Sequence, residues 1–188
     1  MRKQTGFPVA VNEAVVKALN RYLGTPDGRE FIKNSLARME NYRAMVERKL
    51  HEYELPKELM ALPIIESGYQ NLPQSPHPMH SAGVWQFIPQ SARRYGLRVD
   101  DKVDERLNME KETDAACRYL GAMNLMFQDW ELAVMSYNAG EGRVQAGIEK
   151  TGSRNAWTLI ANGFQGDDGY LAKMMAAVLI LNSPSIAE

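Results

Sequence analysis

Apolar residues recur every three or four positions through most of this chain, and no run alternates apolar with polar residues between turn signals. A chain spaced in this way buries its apolar surface along helix faces, so the expected fold is all-α. The strong helix formers Met, Ala, Leu, Glu, Lys and Arg are abundant. With 188 residues and 45% hydrophobic content, the chain can fill one core.

Breakers cut the pattern into elements. Val9 to Leu23 reads as a first helix, stopped by Gly24. Thr25-Pro26-Asp27 is a start signal, with a cap residue followed by proline in the first turn. One long helix is expected from Gly28 to Tyr53, with Phe31, Leu36, Met39, Met45, Val46 and Leu50 as its inner stripe. Leu55-Pro56 ends it, and a short helix, Lys57 to Glu66, follows. Pro73, Pro76 and Pro78 forbid regular helix between residues 67 and 82. Further helices are expected over Gln86 to Tyr95, Met109 to Phe127 (capped by Asn108), Trp130 to Asn138 (capped by Asp129), Glu141 to Lys150, Asn155 to Ile160 and Gly169 to Leu181. No flexible linker interrupts them. The expected division is an N-terminal helical extension, residues 1–55, packed on a main domain, residues 56–188.

Charge removes some classes of function. Lys plus Arg number 22 against 23 Asp plus Glu, a net of -1. No field of one sign is implied, which argues against nucleic acid and anionic membranes as partners. The longest apolar run, Met174 to Leu181, is far shorter than the ~20 residues that span a bilayer. Met1 to Gly6 is basic and polar with no apolar run after it, so no signal peptide is expected. Cys117 is the single cysteine and is expected to be a buried, unreactive thiol.

One residue is out of place. Leu59, Leu62 and Glu66 share a helix face, so Glu66 extends an apolar stripe. A carboxylate there must be paired, protonated or at the wall of a cleft. It also falls at the C-terminal end of its helix. Burial and the helix dipole both disfavour the charged form and raise the pKa. Such a group carries a proton at neutral pH and can give it to a leaving oxygen. A salt-bridged or fraying glutamate is the bland alternative.

The loop that follows gathers Ser75, His77, His80, Ser81, Trp85 and Gln86, the mixture of polar groups and flat apolar faces that suits a sugar. The two histidines lack a third ligand at suitable spacing, so no metal is expected. Trp130, Ala133, Val134 and Tyr137 share a face, which turns Tyr137 inward. Its hydroxyl needs a partner, either a carboxyl group or a backbone carbonyl.

Glu66-Ser67, then Gly83-Val84-Trp85-Gln86-Phe87-Ile88-Pro89, then Tyr137-Asn138-Ala139-Gly140 resemble, in order and spacing, the three successive motifs of the soluble-lytic-transglycosylase domain. Leu55 to Tyr69, Ala82 to Leu97, Asp104-Glu105-Arg106 and Glu141-Gly142-Arg143-Val144 extend the resemblance to the membrane-bound branch of the lytic murein transglycosylases. The resemblance implies a lysozyme-like, goose-lysozyme-like helical fold and cleavage of the β-1,4 bond between N-acetylmuramic acid and N-acetylglucosamine in peptidoglycan. It implies a 1,6-anhydro-muramic product, no cofactor, and a periplasmic or cell-envelope location. Glu66 takes the place of the catalytic acid/base and Tyr137 that of the tyrosine facing it. Ser75, Gln86 and Asn138 match residues of the cleft, and Trp85 stands in the second motif. Ser81 is an alternative to Ser75, because Pro76 and Pro78 alter the loop. Glu141, the second carboxyl nearby, is expected to be structural. A monomer is expected. A muramidase-type hydrolase of the same fold and a non-catalytic glycan-binding module are the competing readings.

Overall fold

A computed structural model describes residues 6–167 and 169–187. The basic opening segment, residues 1–5, lies outside the described residues. The order is α1 (Glu13–Leu23), α2 (Pro26–Glu40), α3 (Arg43–Glu52), a 3-10 turn (Lys57–Ala61), α4 (Leu62–Ser67), α5 (Pro89–Arg94), a 3-10 turn (Glu105–Leu107), α6 (Met109–Phe127), α7 (Trp130–Ala139), α8 (Glu141–Thr151), α9 (Ala156–Ala161), α10 (Tyr170–Asn182) and a closing 3-10 turn (Pro184–Ala187). Among the described residues, β pairing is limited to isolated bridges such as Leu72 with Gly83 and Ala82 with Phe87.

The caps act as their residue types dictate. Asn12, Thr25, Asn108, Asp129 and Asn155 each accept a hydrogen bond from a backbone N–H of the first turn that follows. The long helix expected from Gly28 to Tyr53 is instead two helices. Asn41 and Tyr42 donate their N–H groups to Arg38 and Met39, three residues back, and this tightening ends α2. The bend lets α2 lie against α1 and α4 while α3 lies against α6. Tertiary packing overrides a pattern that reads as continuous. Lys57 to Glu66 likewise divides, into a 3-10 turn and α4.

Helix α10 is buried nearly all round, as its unbroken apolar character requires. It packs against α1, α4 and α7, and so forms the centre of the molecule. Val15, Ile32, Met39 and Val46 of the first three helices enter the same buried cluster as Met174 and Val178. Cys117 is within that cluster, and burial pushes its thiol up to about 12, which leaves it unreactive.

Candidate active site

A cavity of about 480 Å³ opens between α4, the 79–94 segment, α7 and the start of α8. Glu66, Ser81, Gln86, Tyr137, Asn138 and Glu141 are on its wall. Leu59 and Leu62 are fully buried, while Glu66 on the same face reaches the cavity and is only partly covered. Burial pushes the Glu66 carboxyl up to about 7. The Tyr170 hydroxyl, which donates a hydrogen bond to Glu66 Oε1, opposes that rise; Asp167 adds to it, and Lys173 opposes it. The group therefore holds a proton in about half of the molecules near neutral pH, as an acid/base residue requires.

The second motif is shaped by a carboxylate that never reaches the cavity. Glu112 of α6 is wholly buried and accepts the N–H groups of Val84 at 2.9 Å and Trp85 at 2.8 Å. Gly83 crosses directly over it at φ +85, and a Cβ there would lie 2.2 Å from Glu112 Oε1 and 2.2 Å from the Arg106 carbonyl. Only glycine fits this crossing. Gln86 follows in the left-handed region, at φ +55. Its amide donates to the Gly83 carbonyl at 2.7 Å, and its Oε1 accepts from Ser81 Oγ at 2.9 Å, which fixes it on the cavity wall. Burial raises the Glu112 carboxyl well above the ordinary range, against the pull of the two N–H bonds. The Arg106 side chain, fully buried, donates to Asp104, Gln74 and the carbonyls of His80 and Phe87, tying the loop together.

The structure brings Glu66, Gln86, Tyr137 and Asn138 into one cavity. Two expected residues are not on its wall. Ser75 is outside it, where its hydroxyl accepts the His77 N–H in the proline-rich turn; Ser81 occupies the wall instead. Trp85 is fully buried and donates its indole N–H to Thr113 Oγ1 at 3.0 Å, so it is a core anchor. The Tyr137 hydroxyl donates to the Trp85 carbonyl at 2.8 Å, and the phenol that meets Glu66 is Tyr170. Burial raises the Tyr170 hydroxyl well above its ordinary range, so it stays a donor.

Glu141 forms an ion pair with Arg94, and that hydrogen bond holds its carboxyl below the ordinary range. Among the described residues no group of three His, Cys, Asp or Glu could hold a metal. Sequence reasoning missed Tyr170 and Glu112, although the needed signal was present for both. Glu112, Ala115, Ala116 and Tyr119 share a face by the same spacing that singled out Glu66, and all are buried. Tyr170 opens the most apolar helix of the chain.

Comparison with known proteins gives the family and the fold. Residues 44–160 match the family described as Transglycosylase SLT domain. Membrane-bound lytic murein transglycosylase D of Escherichia coli strain K12 is 31% identical over 177 residues, covering 92% of this chain and 38% of that protein. The chain thus spans under two-fifths of the length of that relative. Peptidoglycan transglycosylase gp16 of Escherichia phage T7 is 42% identical over 64 residues, 33% of this chain and 5% of that protein. The crystal structure of an inactive mutant of lytic transglycosylase Slt from Pseudomonas aeruginosa superposes with a TM-score of 0.62 at 19% identity, covering 78% of this chain and 24% of that one. That likeness establishes the lysozyme-like helical fold. With the family match spanning well over half its length, the chain belongs to the Transglycosylase SLT domain family.

Proposed function

We propose that this chain is a peptidoglycan lytic transglycosylase, with Glu66 as its single acid/base. One observation carries the reading: a partly covered carboxyl group, pushed by burial up to about 7, is on the wall of a cavity of about 480 Å³ lined by hydroxyl, amide and aromatic side chains. Glu66 donates its proton to the glycosidic oxygen as the bond to muramoyl C1 breaks. The resulting carboxylate takes the proton of the muramoyl C6 hydroxyl, whose oxygen bonds to C1. The nucleophile belongs to the substrate, and no water is consumed. A hydrolase that inverts or retains through two carboxyl groups needs a second one free for water or for C1. Glu141, the other carboxylate on this wall, is engaged by Arg94. Ser81, Gln86, Tyr137 and Asn138 are assigned to substrate binding, with Tyr170 holding Glu66 in place.

Residues 56–188 carry the chemistry in this reading, and residues 1–55 are a helical layer on them. The cell envelope is the site of action, since the relatives named above include membrane-bound and peptidoglycan-cleaving proteins. Among the described residues no helix is long and apolar enough to cross a membrane.

Mass spectrometry of purified peptidoglycan digested by the chain tests the proposal. The expected fragments end in anhydro-muramic rings. Fragments heavier by one water, with free reducing ends, would replace the lyase with a hydrolase, and saturable binding without any product would leave a glycan-binding module.

A further inference from the structure

A second cavity, of about 350 Å³, borders α4 where Ile65 forms part of its wall. Arg21 and Tyr22 of α1, Asp27 and Phe31 of α2, and Lys173 of α10 complete the part that matters. Four of these six residues precede residue 44, so this wall lies ahead of the stretch that matches the family.

The lining has a definite chemistry. Phe31 stacks on Tyr22, with ring centroids 6.1 Å apart and planes 15° apart, and together with Ile65 it gives an apolar floor. Arg21 and Asp27 are both exposed, and neither has an ion-pair partner among the described residues. Lys173 is engaged with Asp167 Oδ2 at 2.5 Å. A neutral sugar has no need of an unengaged guanidinium and an unengaged carboxylate flanking an apolar floor. A short aliphatic chain with a carboxylate and an ammonium group does, through charge-assisted hydrogen bonds at each end. In peptidoglycan such groups belong to the stem peptide, while the neighbouring glycan is uncharged.

The cavity also adjoins the acid. Ile65 precedes Glu66 in the chain, and Lys173 follows Tyr170 by three residues on α10. The charge of Asp167 is felt at both Tyr22 and Glu66, and that of Lys173 at Glu66.

We infer that this cavity binds the stem peptide of peptidoglycan, with Arg21 taking a carboxylate, Asp27 an ammonium group, and Phe31 with Ile65 the aliphatic part. The identity of the ligand rests on the proposed function. The site lets the N-terminal helices select strands that still carry peptide over bare glycan.

Two measurements test it. The first compares kcat/KM for peptide-bearing strands with kcat/KM for strands stripped by an amidase, the lactyl carboxyl freed by stripping being converted to its primary amide so that the bare glycan is uncharged. Arg21→Glu is expected to lower that ratio about tenfold, the loss of one charge-assisted contact. Lys17→Glu, the same charge change one turn earlier on α1 and outside the cavity, leaves the ratio unchanged. An equal ratio in wild type and Arg21→Glu overturns the inference. The second titrates the chain with a free stem tetrapeptide containing diaminopimelate and follows backbone chemical shifts. Saturable shifts at Ile65 and Lys173 that vanish in Arg21→Glu support the site; their absence in the wild type overturns it. A wild-type chain that releases no anhydro ends from either strand would defeat the proposed activity, while the titration would still decide the cavity.

Discussion

Glu66 and Glu112 are two carboxyl groups that burial pushes the same way and that the fold uses differently. Glu112 is sealed beneath the 83–86 turn, where two backbone N–H groups occupy its oxygens and nothing else can reach it. Glu66 has one phenol as partner and an open wall in front of it. A raised proton affinity therefore belongs both to a structural clamp and to the proposed acid/base. Access to a ligand separates them, together with spare hydrogen-bonding capacity.

The sharpest test of this contrast is Glu66→Gln, which keeps the shape and removes the titrating proton. Product formation is expected to fall at least ~1,000-fold, the scale of a lost general acid. Stability should move the other way. The folded pKa of about 7 exceeds the ordinary 4.5, so the native state holds the extra proton between those values. The stability tied to that proton is complete below about 4.5 and is lost as pH rises through about 7. At pH 8 the wild type therefore carries a penalty of ~3 kcal/mol, which the amide removes. Urea unfolding of both proteins at pH 5 and pH 8 checks the sign, and a Gln variant that is fully active or less stable at pH 8 breaks the contrast.

Glu112→Ala probes the other member. It strands the Val84 and Trp85 N–H groups in a dry site, and ~3 kcal/mol of stability should be lost in denaturant titration. Turnover is expected to fail only as the fold fails, so cooling should restore much of it. A stable variant without activity would assign Glu112 the chemistry instead. Smallest is Tyr170→Phe. The phenol favours the charged form of Glu66, so its loss raises that pKa further. The alkaline limb of kcat/KM should move to higher pH, with about a tenfold lower plateau. A limb that stays in place would show that the phenol does not tune the acid.

Much of this arrangement is legible in the chain because the physics is local. Helical spacing gives the fold class, cap residues give most helix starts, and a lone acid on an apolar face picks out Glu66. What escapes is set by contacts between distant segments. The break at Asn41 carries no proline or glycine and follows from where α3 must lie. Ser75 and Ser81 cannot be separated by spacing, because the 73–78 prolines decide which one faces the wall. Tyr137 and Tyr170 both satisfy the rule for an inward phenol, and only their partners, the Trp85 carbonyl and the Glu66 carboxyl, tell them apart.

The buried side chain of Arg106 has a consequence for how any ligand enters the cavity. By gathering Gln74, His80, Phe87 and Asp104 onto one guanidinium, it makes the segment beside the cleft a single cooperative piece that cannot fray residue by residue. A ligand entering the cavity, the glycan strand in the function proposed above, would meet a mould that is already set, so docking would freeze few protein torsions. The same economy makes the cleft brittle, since the loss of one cation would release all of that wall together.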